Sequence, residues 1–387
     1  MRVVSVITSI GKNGVSKAVI NLSQALSTEG HVVDVVVLEK HGIQEGEAGS
    51  FNIIPLTSGI GVSRHHPVIK WVRRFGRIFI GGLFFYKRYA KYKSAKLGAL
   101  IEKNGYEVIL LHCHYSKVLM QYLEHPRVFH VVHNKKSEQL KGDWWGASRV
   151  NHWVFASAIK RHRVIAVSQD VKDDLVVHFG KRSSEVPIIP NIYDFDEIRR
   201  LATQPFCSKK LIGHSKYIVA VGRLSQQKRF DWLIQAYALS NQQVPLLIIG
   251  DGTEKRRLIR LITTLGLARK VVLLDWVDNP YPYIKNALAM VLSSSYEGLP
   301  TVCIEASVLG TNIIATNCSG VSDIIQPGIG RVLVDVNDIG QMVGALNSQM
   351  ATDKMIANDA IDNVTQRFEP GVILQRYFSL WLEGDDD

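Results

Sequence analysis

Two glutamates accompany a short turn in the second half of the chain. Residues 293–306 read SSSYEGLPTVCIEA, with Glu297 in the turn and Glu305 eight positions later. The pattern predicts a buried strand that ends at Ser295 and a helix that begins at Thr301, with a proline where proline is favoured at a helix N-terminus. The free backbone amides at such a terminus attract anions. This stretch therefore predicts a site for a phosphate group.

Glu305 stands in a helix that is otherwise apolar. Its neighbours along the chain include Val302, Cys303, Ile304, Ala306, Val308 and Leu309. A helix of this composition is mostly buried, and an unpaired buried carboxylate is costly. One interpretation is that Glu305 accepts ligand hydroxyls, as the acidic residue of dinucleotide-binding folds accepts those of ribose. The alternative is a solvated Glu305, with Glu297 in a capping or dipole role.

A second polar cluster follows an apolar run, in the sequence VAVGRLSQQKR. The strand is predicted to end at Gly222, and Arg223 and Lys228 follow on a loop. An arginine supplies a bidentate fork and a lysine a point charge, so the pair could clamp a diphosphate. A solvated turn is the alternative, because both residue types are common in turns.

The first half of the chain contains weaker signals. The loop GKNG at 11–14 is neither GxGxxG nor a Walker A motif, so it predicts neither a dinucleotide nor an ATP site. His133 ends an apolar run, and His112, His114 and His130 lie near other strand ends. A structural role is the alternative for His133. No matched carboxylate cluster accompanies the histidines, which disfavours a metal site.

Composition limits the class of protein. A chain of 387 residues, with 46% apolar and 21% charged residues, fits two globular domains rather than a disordered protein. The four cysteines contain no CxxC pair, which argues against a zinc site or disulfide framework and fits a reducing compartment. The N-terminus lacks the features of a signal peptide. The apolar run 78–85 is far shorter than the roughly 20 residues of a membrane-spanning helix.

The positive charge is concentrated in residues 64–96. This segment contains ten Lys and Arg residues and no Asp or Glu, whereas the whole chain has a net charge of +11. It also contains eight aromatic residues around an apolar centre. Basic and aromatic residues together can bind nucleic acid, but an apolar centre between cationic flanks favours an anionic membrane surface. A solvated helix is the remaining alternative, although such helices normally carry charges of both signs.

Apolar runs alternate with helical patterns along the chain, which predicts parallel sheets covered on both faces. The predicted strands are 3–10, 31–39, 108–115, 128–134, 163–169, 245–252, 270–277, 289–295, 311–317 and 331–336, together with a strand that begins the segment 217–229 and ends at Gly222, before a loop. The predicted helices include 15–30, 230–240, 254–265, 280–287, 301–309 and 372–383. The pattern breaks near 190–212, where we expect a linker between two Rossmann-like domains.

Taken together, these stretches resemble the retaining glycosyltransferases of family 4. GRLSQQK, GDGTE, DNPYPYIKNA and SSSYEGLPTVCIEASVLGTNIIAT occur in the order and spacing of that family, and GKNGVSKAVINLSQAL, His133 and VIAVSQ match more weakly. The resemblance implies an α/β protein of the GT-B fold, with two Rossmann-like domains that face each other across a cleft. It implies an N-terminal, acceptor-side domain over 1–195, a nucleotide-sugar-binding domain over 205–367, and a C-terminal helix over 368–387 that crosses back to the first.

The resemblance also implies roles for individual residues. Arg223 and Lys228 match the pair that holds the donor diphosphate, Glu305 matches the acidic residue on the ribose, and Glu297 matches the residue that faces the transferred sugar. His133 resembles a histidine near that sugar. The remaining donor-binding positions are Gly14, Gly222, Asp251, Trp276, Val277, Gly298, Leu299 and Thr301, of which Trp276 and Val277 would lie near the base.

The implied reaction transfers a sugar, expected to be UDP-linked, to a membrane-associated glycan or lipid-linked acceptor of cell-surface polysaccharide or lipopolysaccharide synthesis. We expect no cofactor, no metal and no nucleic acid, and a peripheral location on the inner face of the cytoplasmic membrane through residues 64–96. Two alternatives stay open: a GT-B sugar-nucleotide epimerase, and a non-catalytic GT-B protein that binds membranes. A phosphorylase is disfavoured, because no segment suggests a pyridoxal lysine.

Overall fold

A computed structural model describes most of the chain. The described ranges are 1–11, 13–38, 50–56, 80–140, 145–206, 216–322, 324–328, 330–351 and 358–382. The chain divides into two compact units. Unit 1 comprises Met1–Tyr193 together with Pro370–Asp387, and unit 2 comprises Asp194–Glu369. The C-terminal segment therefore folds with the first unit rather than with the residues that immediately precede it.

Unit 1 is built on a six-stranded parallel sheet in the order β3-β2-β1-β4-β5-β6. Its strands are β1 (Arg2–Ile7), β2 (Val32–Val37), β3 (Asn52–Pro55), β4 (Val108–Leu111), β5 (Val128–Val132) and β6 (Arg163–Ala166). The central strands are buried on both faces, which explains their continuous apolar sequences. The short β3 lies at the edge and is only partly buried, so its sequence NIIP gave no strand signal.

Helices accompany this sheet, and several begin at clear caps. They are α1 (Gly14–Thr28), α2 (Ile80–Asn104), α3 (His114–Leu119), α4 (Lys136–Gln139), α5 (Trp145–Ile159), α6 (Gln169–Phe179) and α14 (Pro370–Leu382). Asn13 caps α1 by accepting a hydrogen bond from the amide of Ser16. In α14, Trp381 is fully buried, and the guanidinium of Arg163 donates to the carbonyl of Leu380.

Unit 2 repeats the architecture with a second six-stranded parallel sheet, in the order β12-β11-β10-β7-β8-β9. Its strands are β7 (Ile218–Val221), β8 (Leu246–Ile249), β9 (Val271–Leu274), β10 (Ala289–Leu292), β11 (Asn312–Thr316) and β12 (Arg331–Val334). Its α-helices are α7 (Phe195–Leu201), α8 (Phe230–Leu239), α9 (Lys255–Thr264), α10 (Tyr281–Lys285), α11 (Thr301–Val308), α12 (Ile339–Met350) and α13 (Asn358–Arg367). The two-sheet α/β architecture agrees with the prediction, and each of the eleven predicted strands contains an observed one.

Two expectations from the sequence are corrected or remain open. The predicted linker 190–212 is wrong for its middle part, because Asp194 caps α7 and the buried Phe195 and Ile198 attach that helix to α10 and α11. In the cationic segment 64–96, residues 64–79 lie outside the described part, and the rest belongs to α2. None of the described helices is long and apolar enough to cross a membrane.

Candidate functional site

Each sheet has a point at which its strand order reverses. In unit 2 the chain runs outward through β7, β8 and β9 and then returns to place β10 on the other side of β7. In open α/β sheets, ligands bind beyond the carboxyl ends of the strands at such a point. The loop with Arg223 and Lys228 follows β7, and the turn with Glu297 follows β10. The topology therefore brings the two predicted clusters together.

Lys228 and Glu297 form the central contact of this site. The ammonium of Lys228 lies 2.7 Å from Oε1 of Glu297, although the two residues are 69 positions apart in the chain. Their side chains are only 17% and 10% exposed. Removing one partner of such a shielded pair leaves the other charge without compensation, which is strongly destabilising. The pair therefore holds the end of β7 to the end of β10.

Further polar groups keep Glu297 in one orientation. The Ser294 hydroxyl donates to Oε1 at 2.6 Å, and the Gln227 amide donates to Oε2 at 3.4 Å. The Glu297 amide donates to the hydroxyl of Ser319, which in turn donates to the carbonyl of Glu297. Donors from Lys228, Ser294 and Gln227 therefore hold the Glu297 carboxylate in a fixed position beside the lysine.

The turn between Glu297 and α11 is closely packed. Pro300 precedes the helix and Thr301 is its first residue, as predicted, while Leu299 is buried. Gly320 packs against this turn with a φ of +78°, and a Cβ there would lie 2.5 Å from the carbonyl oxygen of Gly298. Only glycine permits this approach. The amides at the start of α11 are therefore held next to the Lys228–Glu297 pair.

Glu305 is buried within α11, in agreement with the first interpretation of the sequence. Its residue exposure is 5%. Burial raises the pKa of the Cys303 thiol well above its usual value, and the thiol feels the charges of Lys228, Glu297 and Glu305. These three charged groups therefore surround the same part of the helix. The alternative of a solvated Glu305 is wrong.

Arg223 differs from Lys228 in its environment. It is exposed, and its guanidinium makes no hydrogen bond or ion pair to the described residues. The preceding Gly222 ends β7 and donates its amide to the carbonyl of Ile249. A Cβ on Gly222 would lie 3.1 Å from Cε of Lys228, so the glycine leaves room for the lysine. Arg223 is positioned at the site without being committed to a contact there.

The three other predicted donor-binding residues of unit 2 lie at neighbouring strand ends. Asp251 follows β8, is exposed, and lies 3.8 Å from the ammonium of Lys255. Trp276 and Val277 follow β9, and the Trp276 indole donates to a carboxylate oxygen of Asp278 at 3.1 Å. Trp276 is 36% exposed, so one part of the ring remains open to a flat ligand.

In unit 1 the predicted residues occupy equivalent strand ends. Gly14 is the first residue of α1 rather than a loop residue, and it is exposed. His133 directly follows β5, and its Nε2 lies 2.9 Å from Nδ1 of His112, which follows β4. The two rings stack with centroids 5.2 Å apart. His133 is therefore half of a histidine pair, which the sequence did not predict.

Two buried lysines accompany this histidine pair. The ammonium of Lys117 donates to the carbonyls of Cys113 and Val131 at 3.1 and 2.7 Å, and that of Lys136 donates to Gln139. Burial lowers the pKa of Lys136 to about 8, and it lowers the pKa of Lys117 well below its usual value. Burial, with the charges of both lysines, lowers the pKa of His133 to about 3. Lys117 ties the ends of β4 and β5 together.

Unit 1 should lose stability in mild acid. Burial lowers the folded-state pKa of His114 to about 3 and holds those of His112 and His130 well below 6.5, as it does for His133. The unfolded chain therefore binds more protons than the folded chain below about pH 6.5, and stability falls as pH decreases through this range towards about 3. Urea unfolding at pH 7.5, 6.5 and 5.5 should give a decreasing free energy of unfolding.

Two variants can show whether the buried histidines cause the loss of stability in acid. His130→Asn should flatten the dependence on pH, since His130 is fully buried against His162, with 2.7 Å between ring nitrogens. His178→Gln should leave the dependence unchanged, because His178 is exposed on α6. Equal free energies of unfolding at pH 7.5 and 5.5 in the wild type would contradict the prediction.

Some residues of the site carry no signal in the sequence. Gln227 and Ser319 reach Glu297 only through the tertiary structure, Ser294 reaches it from three positions earlier in the same turn, and serine and glutamine are common in loops. Cys113 has a φ of 62° and a ψ of 163°, a backbone conformation that is rare outside glycine. No local pattern distinguishes it. The run HCHY contained the histidine that pairs with His133, but nothing in the run indicated the pairing.

Two family descriptions match the chain in succession. The family described as Glycosyltransferase Family 4 matches residues 12–197, and Glycosyl transferases group 1 matches residues 207–367. The first match lies mostly in unit 1 and the second lies in unit 2, where it includes Arg223, Lys228, Glu297 and Glu305. Together they cover most of both units.

Curated relatives match over part of their length. The N-acetylgalactosamine-N,N'-diacetylbacillosaminyl-diphospho-undecaprenol 4-alpha-N-acetylgalactosaminyltransferase of Campylobacter jejuni is 29% identical over 51% of this chain and 53% of its own. The UDP-Gal:alpha-D-GlcNAc-diphosphoundecaprenol alpha-1,3-galactosyltransferase of Escherichia coli is 25% identical over 70% of this chain and 73% of its own. The chain spans about half the length of the first curated relatives that it matches.

Solved structures share the whole fold. The structure of Anabaena Alr3699/HepE in complex with UDP and glucose has a TM-score of 0.75 and 18% identity, and covers 98% of this chain and 99% of its own. At this identity the likeness concerns the fold, which is GT-B. Because the two matching family descriptions cover residues 12–197 and 207–367, the chain belongs to the family 4 glycosyltransferases.

Proposed function

We propose that this protein transfers a sugar from a nucleotide-diphosphate sugar to a lipid-linked or other membrane-associated glycan acceptor, in the synthesis of a cell-surface polysaccharide or lipopolysaccharide. The main support is the shielded Lys228–Glu297 pair at the strand-order reversal of unit 2, beside the N-terminus of α11. UDP is the proposed nucleotide. Two relatives support the substrate class, because the name of one includes a UDP-sugar and the names of both include an undecaprenol diphosphate.

The leaving group of this reaction is a nucleoside diphosphate. Negative charge develops on its phosphate oxygens as the bond from C1 of the sugar breaks, and preorganised positive groups stabilise that charge. Lys228 is already held at the site, and Arg223 is exposed nearby with an uncommitted guanidinium. The amides at the start of α11 add donors at the same strand end. These groups together replace solvent around the departing diphosphate.

Glu297 and Glu305 act on hydroxyl groups in this proposal. A carboxylate that already accepts bonds from Lys228 and Ser294 keeps lone pairs for the sugar hydroxyls. Glu305, one turn into α11, accepts the ribose hydroxyls, and the partly exposed Trp276 provides a surface near the base. His133 would lie near the sugar in unit 1, where its low pKa keeps the ring neutral at physiological pH.

We further propose that the configuration at C1 is retained through a front-face reaction. The departing phosphate oxygen takes the proton of the acceptor hydroxyl, and the acceptor oxygen attacks C1 from the same face. Glu297 is held by Lys228, Ser294 and Gln227, which suits a fixed electrostatic role better than that of a nucleophile. A covalent sugar adduct on any side chain, detected by mass spectrometry of the trapped enzyme, would contradict this mechanism.

The direct test is release of UDP from UDP-sugars, with and without an undecaprenyl-diphosphate oligosaccharide. A transferase releases UDP in proportion to the acceptor, whereas an epimerase changes the sugar without releasing UDP.

Because Arg223 and Lys228 supply the positive charge, EDTA should leave the rate unchanged within about twofold. A rate that vanishes in EDTA and returns with Mg²⁺ would contradict the metal-independent form of the proposal.

We propose that unit 1 contacts an anionic membrane surface, at the inner face of the cytoplasmic membrane. In the described part of α2, Lys87, Arg88 and Lys91 are exposed, and Tyr92 is 52% exposed. The ammonium of Lys91 lies 5.6 Å from the ring centre of Tyr122, and a second cation, Arg161, lies 5.4 Å from the same centre. A patch of cations around aromatic rings suits phosphate headgroups.

Flotation with liposomes checks this membrane contact. We expect the protein to float with vesicles that contain phosphatidylglycerol and to remain unbound with phosphatidylcholine alone, because each cation near an anionic surface contributes about 1 kcal/mol. The double variant Lys91→Gln/Arg161→Gln should bind the anionic vesicles about tenfold or more weakly. Equal binding of the wild type to both kinds of vesicle would contradict the proposed contact with an anionic membrane surface.

A further inference from the structure

The outward face of α9 in unit 2 differs from the rest of that helix. Leu258 and Ile262 are buried on the inner side, where α9 packs against α8. Arg256, Ile259 and Arg260 lie on the opposite side, at helical spacing i, i+3 and i+4. Both arginines are exposed, and Ile259 is 47% exposed. The outer face thus presents two positive charges on either side of an apolar side chain.

The cations on the flanks of α9 have partners within unit 2. Lys255 pairs with Asp275 and lies 3.8 Å from Asp251. Arg257 pairs with Asp231 and with Glu254, each at 2.9 Å. These ion pairs account for the flanking charges as ordinary contacts of a folded surface.

Ion pairs of this kind do not account for the two outward arginines, Arg256 and Arg260. Neither Arg256 nor Arg260 forms an ion pair with any residue in the described ranges. Like charges at i and i+4 destabilise a helix by a few tenths of a kcal/mol. The nearest carboxylates before the helix, Asp251 and Glu254, already lie beside Lys255 and Arg257, and residues 255–270 contain six Lys and Arg residues and no Asp or Glu. Helix stability therefore does not explain this arrangement, which suits an anionic partner.

We propose that Arg256, Ile259 and Arg260 form a second membrane-contact face, which places α9 of unit 2 on an anionic lipid bilayer. A helix that presents cations beside an exposed aliphatic side chain is typical of interfacial binding, in which the cations meet headgroups and the aliphatic group enters the acyl boundary. The contact goes beyond the proposed function, which assigns membrane binding to unit 1.

Other occupants fit this face less well. A second copy of the chain carries the same net charge of +11 and would be repelled. A nucleic acid would pair with the arginines through phosphates but leave Ile259 exposed to water. A bilayer satisfies both the charges and the aliphatic side chain. A short helix of this kind binds a bilayer weakly when it acts alone.

The test compares two double variants of the full-length protein by flotation with phosphatidylglycerol-containing vesicles. Arg256→Gln/Arg260→Gln should weaken binding about 30-fold, which corresponds to about 2 kcal/mol at about 1 kcal/mol per cation. The matched control is Arg199→Gln/Arg200→Gln on α7, which removes two exposed arginines of the same unit that are paired with Asp196 and Glu197. The control should weaken binding by less than about threefold. Ile259→Ser should weaken the binding that remains in high salt.

Two results would overturn the proposal. The first is vesicle binding by Arg256→Gln/Arg260→Gln that equals that of the wild type, since the two arginines would then make no contribution. Binding equal to that of the control has the same consequence, since net charge alone would then explain the data. The second is a short DNA duplex that binds through Arg256 and Arg260 while vesicle binding is unchanged. Flotation requires no catalysis, so failure here differs from failure of the transferase proposal. The thermal shift caused by UDP, measured on the same variants, should equal that of the wild type.

Discussion

Replacing Lys228 with methionine should reduce the rate of sugar transfer by about 10²- to 10³-fold, the cost of removing one preorganised group that stabilises developing charge. The ammonium lies 2.7 Å from Glu297 and is mostly shielded from water, so its interaction with a departing diphosphate is weakly screened. Methionine keeps the length and apolar stem of lysine and removes only the charge. Acceptor-dependent release of UDP at saturating donor measures the effect.

Glu297→Gln tests whether Lys228 and Glu297 act as a unit. We expect a loss of similar size, and a double variant that is little worse than either single one, because residues that act together have non-additive effects. Lys285→Met, which removes an exposed lysine of α10, is the control and should retain full activity. Losses that simply add in the double variant, or a Lys228→Met enzyme within twofold of wild type, would contradict the assigned roles.

Glu305→Ala should weaken the binding of UDP strongly while leaving the fold intact. Hydrogen bonds to a charged group contribute about 1.5–3 kcal/mol, so the loss of the carboxylate should raise the dissociation constant by roughly 10- to 100-fold. At 100 times its dissociation constant, a ligand stabilises the folded protein by about 2.7 kcal/mol. A thermal-shift series with UDP, GDP, ADP and CMP on wild type should show stabilisation by one diphosphate, and the variant should lose it.

The buried position of Glu305 requires a second variant. Alanine leaves a small space in α11, whereas Glu305→Gln keeps the shape and one acceptor oxygen, so its affinity for UDP should lie between those of wild type and Glu305→Ala. Circular dichroism and the unfolding temperature without ligand report the fold of each variant. Wild-type affinity in a folded Glu305→Ala protein would show that the carboxylate does not bind the nucleotide.

The strands were predictable because parallel strands are buried on both faces and read as continuous apolar runs. The exceptions have physical causes. β3 is a four-residue edge strand with one proline, and its burial is only partial. α7 lies where the pattern suggested a linker, because a short helix attached by Phe195 and Ile198 has too few apolar positions to show a period. The burial of Glu305 was predicted correctly from its apolar neighbours.

Taken alone, the sequence determined the α/β class, the two sets of strands, the helix that begins at Thr301 and the polar residues that follow each strand. These properties depend on neighbours within a few positions, and local patterns record them. Only the tertiary structure decided which strand ends lie side by side. The reversal of strand order joins Lys228 to Glu297 across 69 positions, and the pairing of β4 with β5 brings His112 to His133 across 21. Such long-range pairs follow from the order of strands in a sheet, which no local spacing of residues specifies.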